Sequence, residues 1–405
     1  MKRILSGLTA LLLLLALCAG CGNTNSNNSD DDAPPQEDAS QTGPSQTEGL
    51  ISEKGVYYDI TGIEAQETAM EYGGNTVPAE MYFYWLGYYC SYVEYQINMF
   101  SAYGMYTDLI NEDGTIIWDG ALDDTTPSQA AIDNTNSNVL SYLVLENMAK
   151  EYGVTLTDED KADMESVLAQ QIEEAGGEAV FQQSLTEMGI SRETFDRISA
   201  AGYLLDHLEE LASQPGSDLY EEPSREDNAY VDHILLMTID SETQEPLSEE
   251  EAAAKRAQAE DLLAQLQAAE DVEALFNELV EEYGEDQGRI TDSGYLVNPE
   301  TNFVPEFLEA TFALQPGEIS GIVESDYGYH ILLRKELTED QIASLAASHL
   351  DSVLTERLES AVDEMTLSEK LDGVVVGEFY EKYMDILSQI QAASSSEDGG
   401  TDAAQ

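Results

Sequence analysis

Positive charge is what this sequence lacks most. Its 405 residues carry 16 Lys and Arg against 81 Asp and Glu, a net charge of −65. A nucleic-acid binder needs a cationic footprint to displace counterions, and this chain has none to offer. The same deficit excludes tight electrostatic adsorption to anionic lipid. Cysteine is scarce as well, with three in the whole chain, so a disulfide framework is excluded. Only four His occur, scattered, and no HExxH, CxxC or GxSxG pattern is present, which argues against metalloenzyme and activated-nucleophile chemistry. No EF-hand spacing exists among the acids, so cations are expected only as diffuse counterions, and neither a metal nor a cofactor is expected. Repeated βαβ units and internal repeats are missing too. Apolar residues are not scarce: they make up 42%, with 22 Tyr and 9 Phe, enough to bury a core.

The first 21 residues read MKRILSGLTALLLLLALCAGC. Lys2 and Arg3 precede an apolar run too short for a permanent membrane span, and Ala19-Gly20 precede Cys21. The arrangement resembles a bacterial lipoprotein signal, which implies cleavage before Cys21 and a lipid on it. One departure is Cys18, three residues before the cut, where Leu is usual. The plainer alternative is an ordinary secretion signal. Loss of residues 1–20 would take the charge to −67 and leave Cys90 as the one free thiol, expected in a core. Residues 21–49 are polar and Pro/Ser/Asn-rich, as in a disordered tether.

Residues 50–213 are expected to be mostly helical. Within them 50–77 read as strand-poor, with GVYYDITGI as one short strand, and 101–127 as a Gly/Asp-rich loop with DGTIIWDG as a hairpin. The run AEMYFYWLGYYCSYVEYQINMF is aromatic on nearly every face and predicts a buried helix. Thr157 with Asp160 signals a helix start. Residues 214–227, with two Pro and a Gly, read as a linker. From 228 the pattern changes to β-α-α-β-α-β-β, ending at 336, with helix starts at Ser248/Glu251 and Asp271. Residues 337–392 read as helical again, and 393–405 as a disordered tail. The predicted class is therefore α+β, with a mixed domain inserted between helical segments.

Within 228–336 three motifs stand in order: His233-Ile234-Leu235-Leu236, the run FVPEFLEATFALQPGEISGIV from Phe303 to Val323, and YGYHILLR with His330. Together they resemble the parvulin family of peptidyl-prolyl cis/trans isomerases. That resemblance implies catalysis of X-Pro rotation, which otherwise crosses a barrier of ~18–20 kcal/mol and takes tens to hundreds of seconds. It implies a hydrogen-bonded pair of central histidines, His233 and His330, on neighbouring strands. It places Asp286 where the family has Cys or Asp, near the substrate amide, and Leu296, Phe303 and Phe307 in the wall of the proline pocket. Tyr327 takes the place of a Ser found in phosphate-directed members. TDSGYLV (residues 291–297) departs from the family's GGDLG segment, and the loop MTIDSETQEP holds no Lys or Arg, so no phosphate dependence is expected. Each residue has a plainer alternative: a buried structural pair for His233 and His330, plain core for Phe307, a solvated acid for Asp286. His207 and His349 are expected on helix surfaces.

The order of helical flanks around such a domain, behind a lipoprotein signal, resembles the PrsA-type extracytoplasmic foldases of Gram-positive bacteria. The first flank also resembles the helical part of SurA-type chaperones. This implies a lipid-anchored protein on the outer face of a bacterial cell membrane. Its two flanks would pack into one chaperone domain, and its clients would be unfolded secreted proteins with X-Pro bonds. Two rival readings are a weakly catalytic holdase with a parvulin fold and a solute-binding surface lipoprotein.

Overall fold

The computed structural model describes residues 50–397, apart from 225, 242, 244 and 290–293. The expected signal, Cys21, the tether and Thr291 to Ser293 of the altered glycine segment lie outside the described residues. In chain order the elements are α1 (Val56–Thr61), β1 (Thr68–Tyr72), β2 (Asn75–Pro78), α2 (Ala79–Ser101), α3 (Pro127–Glu151), α4 (Asp158–Glu174), α5 (Glu178–Met188) and α6 (Arg192–Ser213). Then come β3 (Ala229–Met237), α7 (Glu249–Ala268), α8 (Val272–Tyr283), β4 (Tyr295–Val297), α9 (Pro305–Ala313), β5 (Val323–Ser325) and β6 (Gly328–Lys335). The chain ends in α10 (Glu339–Glu364), β7 (Thr366–Leu367) and α11 (Val376–Glu397). The class is α+β. The described residues form two compact units: 50–211 with 350–397, and 212–349.

The first unit joins segments far apart in sequence. β1 pairs with β2 and also with β7, Met70 opposite Leu367. α11 brings Phe379 onto Phe83 and Tyr57, with ring centroids 5.5 and 6.2 Å apart, and Tyr380 onto Trp118 at 5.2 Å. The Tyr380 hydroxyl donates to Glu94 at 2.6 Å. Glu80, 4% exposed, accepts from the Ser191 N–H and hydroxyl, from Thr194 and from Gln66, and so caps the start of α6. Cys90 is buried, and burial pushes its thiol up.

Four local expectations for this unit fail. Residues 56–61 form a helix where a strand was expected, bracketed by Gly55 and Gly62 and anchored by the buried Val56 and Tyr57. Tertiary packing overrides the β-propensity of Val, Tyr and Ile there. The supposedly strand-poor segment holds a hairpin instead, turned by Gly73-Gly74 with φ of 60° and 82°, the left-handed pair that a two-residue turn requires. DGTIIWDG makes only one bridge, Ile110 to Ile116. At the other end α11 runs to Glu397, past the expected start of the tail at 393.

The second unit is built on one antiparallel sheet, ordered β4-β3-β6-β5. The first eight residues of β3 and the first seven of β6 are buried, because both faces are covered. Side chains alternate between faces along a strand. Ile234, Leu236, Tyr329, Ile331 and Leu333 meet Leu262 and Leu266 of α7 and Phe276, Leu279 and Val280 of α8. On the opposite face Ala229, Val231 and Leu332 meet Val297 of β4 and Phe307 of α9. Ser248 and Glu251 close a capping box on α7, and Asp271 caps α8. EISGIVES forms less strand than expected. Val323–Ser325 makes the ladder and Ile319 an isolated bridge to Leu333; between them the Ser320 hydroxyl takes the Leu332 N–H at 2.8 Å in place of a ladder bond.

Candidate active site

His233 lies opposite Leu332, and Leu235 lies opposite His330. The two histidines are therefore diagonal neighbours on the α9 face of the two central strands. They are 4% and 3% exposed, their rings are stacked at 13°, and their Nδ1 atoms are 3.0 Å apart. Two donors or two acceptors cannot face each other at that distance, so one ring gives and the other receives.

Asp286 decides which. The segment after α8 is tied to β3 by a backbone bond from Glu285 N–H to Leu235 C=O at 2.9 Å, and by the Glu285 carboxylate, which accepts from the Met237 N–H and from Lys255. This brings Asp286 Oδ2 to 2.8 Å from His233 Nε2. A carboxylate only accepts, so His233 Nε2 carries the proton. With His233 neutral, its Nδ1 accepts from His330 Nδ1–H, and His330 Nε2 accepts from the Ser325 hydroxyl at 2.7 Å. The Tyr295 hydroxyl donates to Asp286 Oδ2 at 2.5 Å, and the Gly288 N–H donates to Oδ1 at 2.9 Å. The result is a chain of donors running Ser325–His330–His233–Asp286, closed from the far side by Tyr295.

The electrostatics agree with that chain. The His233 hydrogen bond holds Asp286 well below the usual carboxylate range, against burial, with help from Tyr295 and Gly288. Burial, then the neighbouring His233, pushes His330 down to about 4. The His330 ring is thus neutral at pH 7.

Above the chain is an aromatic wall. Phe307 is 1% exposed, stands edge-on to His233 at 5.1 Å and stacks on Phe303 at 4.9 Å. Tyr295 packs on Phe303 at 5.1 Å. A cavity of about 490 Å³ borders Asp286, lined by Met237, Ile239 and Leu247 and by the charged Asp240, Lys255 and Glu285.

The structure thus brings together His233, Asp286, His330, Phe303 and Phe307. It does not bring in Leu296, which pairs opposite Tyr230 and is 40% exposed, on the other sheet face. Its neighbour Tyr295, opposite Val231, fills the expected place. Gly294 sets that register at φ 86°, where a Cβ would sit 2.6 Å from the Val231 carbonyl. Tyr327 is 48% exposed at the β5–β6 turn and makes no ring contact with the wall. Sequence reasoning missed Tyr295 and Ser325; period-two alternation from Gly294 was the available signal for the first. It also missed Asp232, fully buried beneath His233, which is held by Arg289 through two bonds of 3.1 Å and by Lys335. His207 pairs with Asp160 at 2.7 Å and His349 with Glu221 at 3.0 Å.

An antiparallel four-stranded sheet with helices on both faces, and paired histidines beneath an apolar wall, defines a parvulin-type rotamase domain. Residues 233–336 match the family model described as the Rotamase, PPIC-type PPIase domain. The chain is similar to the foldase protein PrsA of Halalkalibacterium halodurans, 34% identical over 151 residues, covering 37% of this chain and 41% of that one. It is also similar to the chaperone SurA of Nitrosospira multiformis, 27% identical over 240 residues, covering 54% of this chain and 49% of that one. A crystal structure of the peptidylprolyl isomerase PrsA from Bacillus cereus aligns at 18% identity and a TM-score of 0.28, covering 68% of this chain and 96% of that one. The matched stretch spans less than half the length of the curated relatives it matches.

Proposed function

We propose that this chain is a lipid-anchored extracytoplasmic foldase. Its parvulin-type domain would rotate X-Pro bonds in secreted clients, while the helical unit would hold the unfolded chain. The carrying observation is the donor chain through His330, His233 and Asp286 beneath the Phe303–Phe307 wall. Rotation of an X-Pro bond needs an apolar seat for the proline ring and a fixed polar frame for an amide that has lost resonance. It needs no nucleophile. His233, Asp286 and His330 supply the frame in this reading, and Phe303 and Phe307 the seat. Anchoring rests on Cys21 behind the short apolar run, and the extracytoplasmic location on the same segment.

A protease-coupled proline-peptide assay on the full chain tests the enzymatic reading. Turnover in wild type and its loss in a folded His233→Ala, Phe307→Ala double variant is the expected result. An inactive wild type, or a fully active variant, would overturn it. Release of the protein from membranes by Cys21→Ser tests the anchor.

A second reading is a holdase with little turnover. The helical unit favours it in one respect: Tyr92 and Tyr95 of α2 are 43% and 62% exposed, an unusual cost for aromatics unless they meet a client. Suppression of aggregation by a chain without turnover would select this reading.

A further inference from the structure

One oxygen of Asp286 carries two short bonds from two different strands. Oδ2 accepts from His233 Nε2–H of β3 and from the Tyr295 hydroxyl of β4, while Oδ1 is engaged by the Gly288 N–H. His233 and the turn at Gly288 each hold one oxygen; the bond from β4 adds a second donor to Oδ2 and narrows the rotation left to the carboxylate about its last torsion. Tyr295 is placed for this by the Gly294 turn and by its pairing opposite Val231. Its ring adds a second link, since it packs edge-on against both Phe303 and His233. Burial and Asp286 both push the Tyr295 phenol up, so it stays a donor across the working pH range.

We propose that Tyr295 is a positioning residue of the isomerase site: its hydroxyl fixes the Asp286 carboxylate, and through it the single tautomer of the His233–His330 pair, while its ring completes the proline wall. This rests on the isomerase reading above. The two functions separate by substitution. Tyr295→Phe keeps the ring and removes the donor. Tyr295→Leu removes both.

The test uses the full chain with ¹⁵N-labelled histidine, which gives only four imidazoles to assign. In wild type the shifts should show protonated Nε2 on His233 and protonated Nδ1 on His330. In Tyr295→Phe both rings should show averaged tautomers, kcat should fall about tenfold, as for a lost bond to a charged group, and KM should stay within about twofold. Tyr295→Leu should raise KM as well. Unchanged imidazole shifts, or an unchanged kcat, in Tyr295→Phe would overturn the assignment. If wild type shows no turnover, the isomerase reading fails, and the imidazole shifts alone still decide whether Tyr295 fixes the pair.

Discussion

The Nδ1 atoms of His233 and His330 face each other at 3.0 Å, so the two rings share one proton between them. That relationship makes the pair a unit. A second proton between those atoms would set two N–H donors face to face and leave a cation in a buried, stacked contact, where burial already weighs against charge on His330.

Stability should therefore fall on mild acidification. His330 is held near about 4 in the folded chain, against about 6.5 in an unfolded one. As pH drops below about 6.5 the unfolded chain takes up the proton and the folded chain does not. The contribution is present above that value and is lost on the way down to 4. It amounts to about 3 kcal/mol. Urea unfolding of the full chain between pH 7 and 4 should show this slope, and His330→Gln should flatten it. Equal slopes in the two proteins would refute the shared-proton picture.

Phe307 is both wall and core, and two substitutions divide these roles. Phe307→Ala opens a cavity between Phe303, His233 and the sheet, and should cost about 3–5 kcal/mol in unfolding free energy. Phe307→Leu should cost less and leave a folded domain. Its kcat/KM should nevertheless drop, because the flat face that stacks on Phe303 is gone. A Leu variant with wild-type kcat/KM would make Phe307 plain core.

What was legible in the sequence was what local rules govern. The capping pairs Thr157/Asp160 and Ser248/Glu251 form as expected, since each is a contact within one turn. β3 and β6 were legible as unbroken apolar runs, with His233 and His330 as landmarks on them and Phe307 as a landmark on α9. What failed was set by partners distant in sequence. Val56 to Thr61 reads as strand until Phe83 and Phe379 pack on Tyr57. Leu296 was expected in the wall and Tyr295 occupies it, because a three-residue strand takes its facing from its pairing to β3, and a shift of one residue exchanges the faces. Arg289 and Asp232 could not be matched from spacing 57 residues apart.

Glu80 offers a test within the helical unit. Its carboxylate satisfies Ser191, Thr194 and Gln66 from a nearly dry position. Glu80→Ala leaves those donors without an acceptor at the start of α6 and should cost about 2–4 kcal/mol. Glu80→Gln, which keeps one acceptor oxygen, should cost less. Denaturant midpoints of the two variants check the order; equal values would mean that the charge, and not the acceptor, carries the effect.

Phosphorylated substrates should be disfavoured. A phosphoserine before proline brings about −1.5 to −2 charges and needs cationic partners. The segment 238–246 after β3 has no Lys or Arg. The nearest cations on α7 already have acidic partners: Lys255 pairs with Glu285, and Arg256 pairs with Glu324 at 3.3 Å and Glu260 at 3.4 Å. Asp240, Glu285 and Asp286 line the adjoining cavity, so a phosphate there meets repulsion. Plain Ser-Pro peptides should turn over faster than their phosphorylated forms, and the gap should narrow as salt screens the carboxylates. A phosphopeptide that turns over faster, at any ionic strength, would show that a cation reaches the site from elsewhere in the chain.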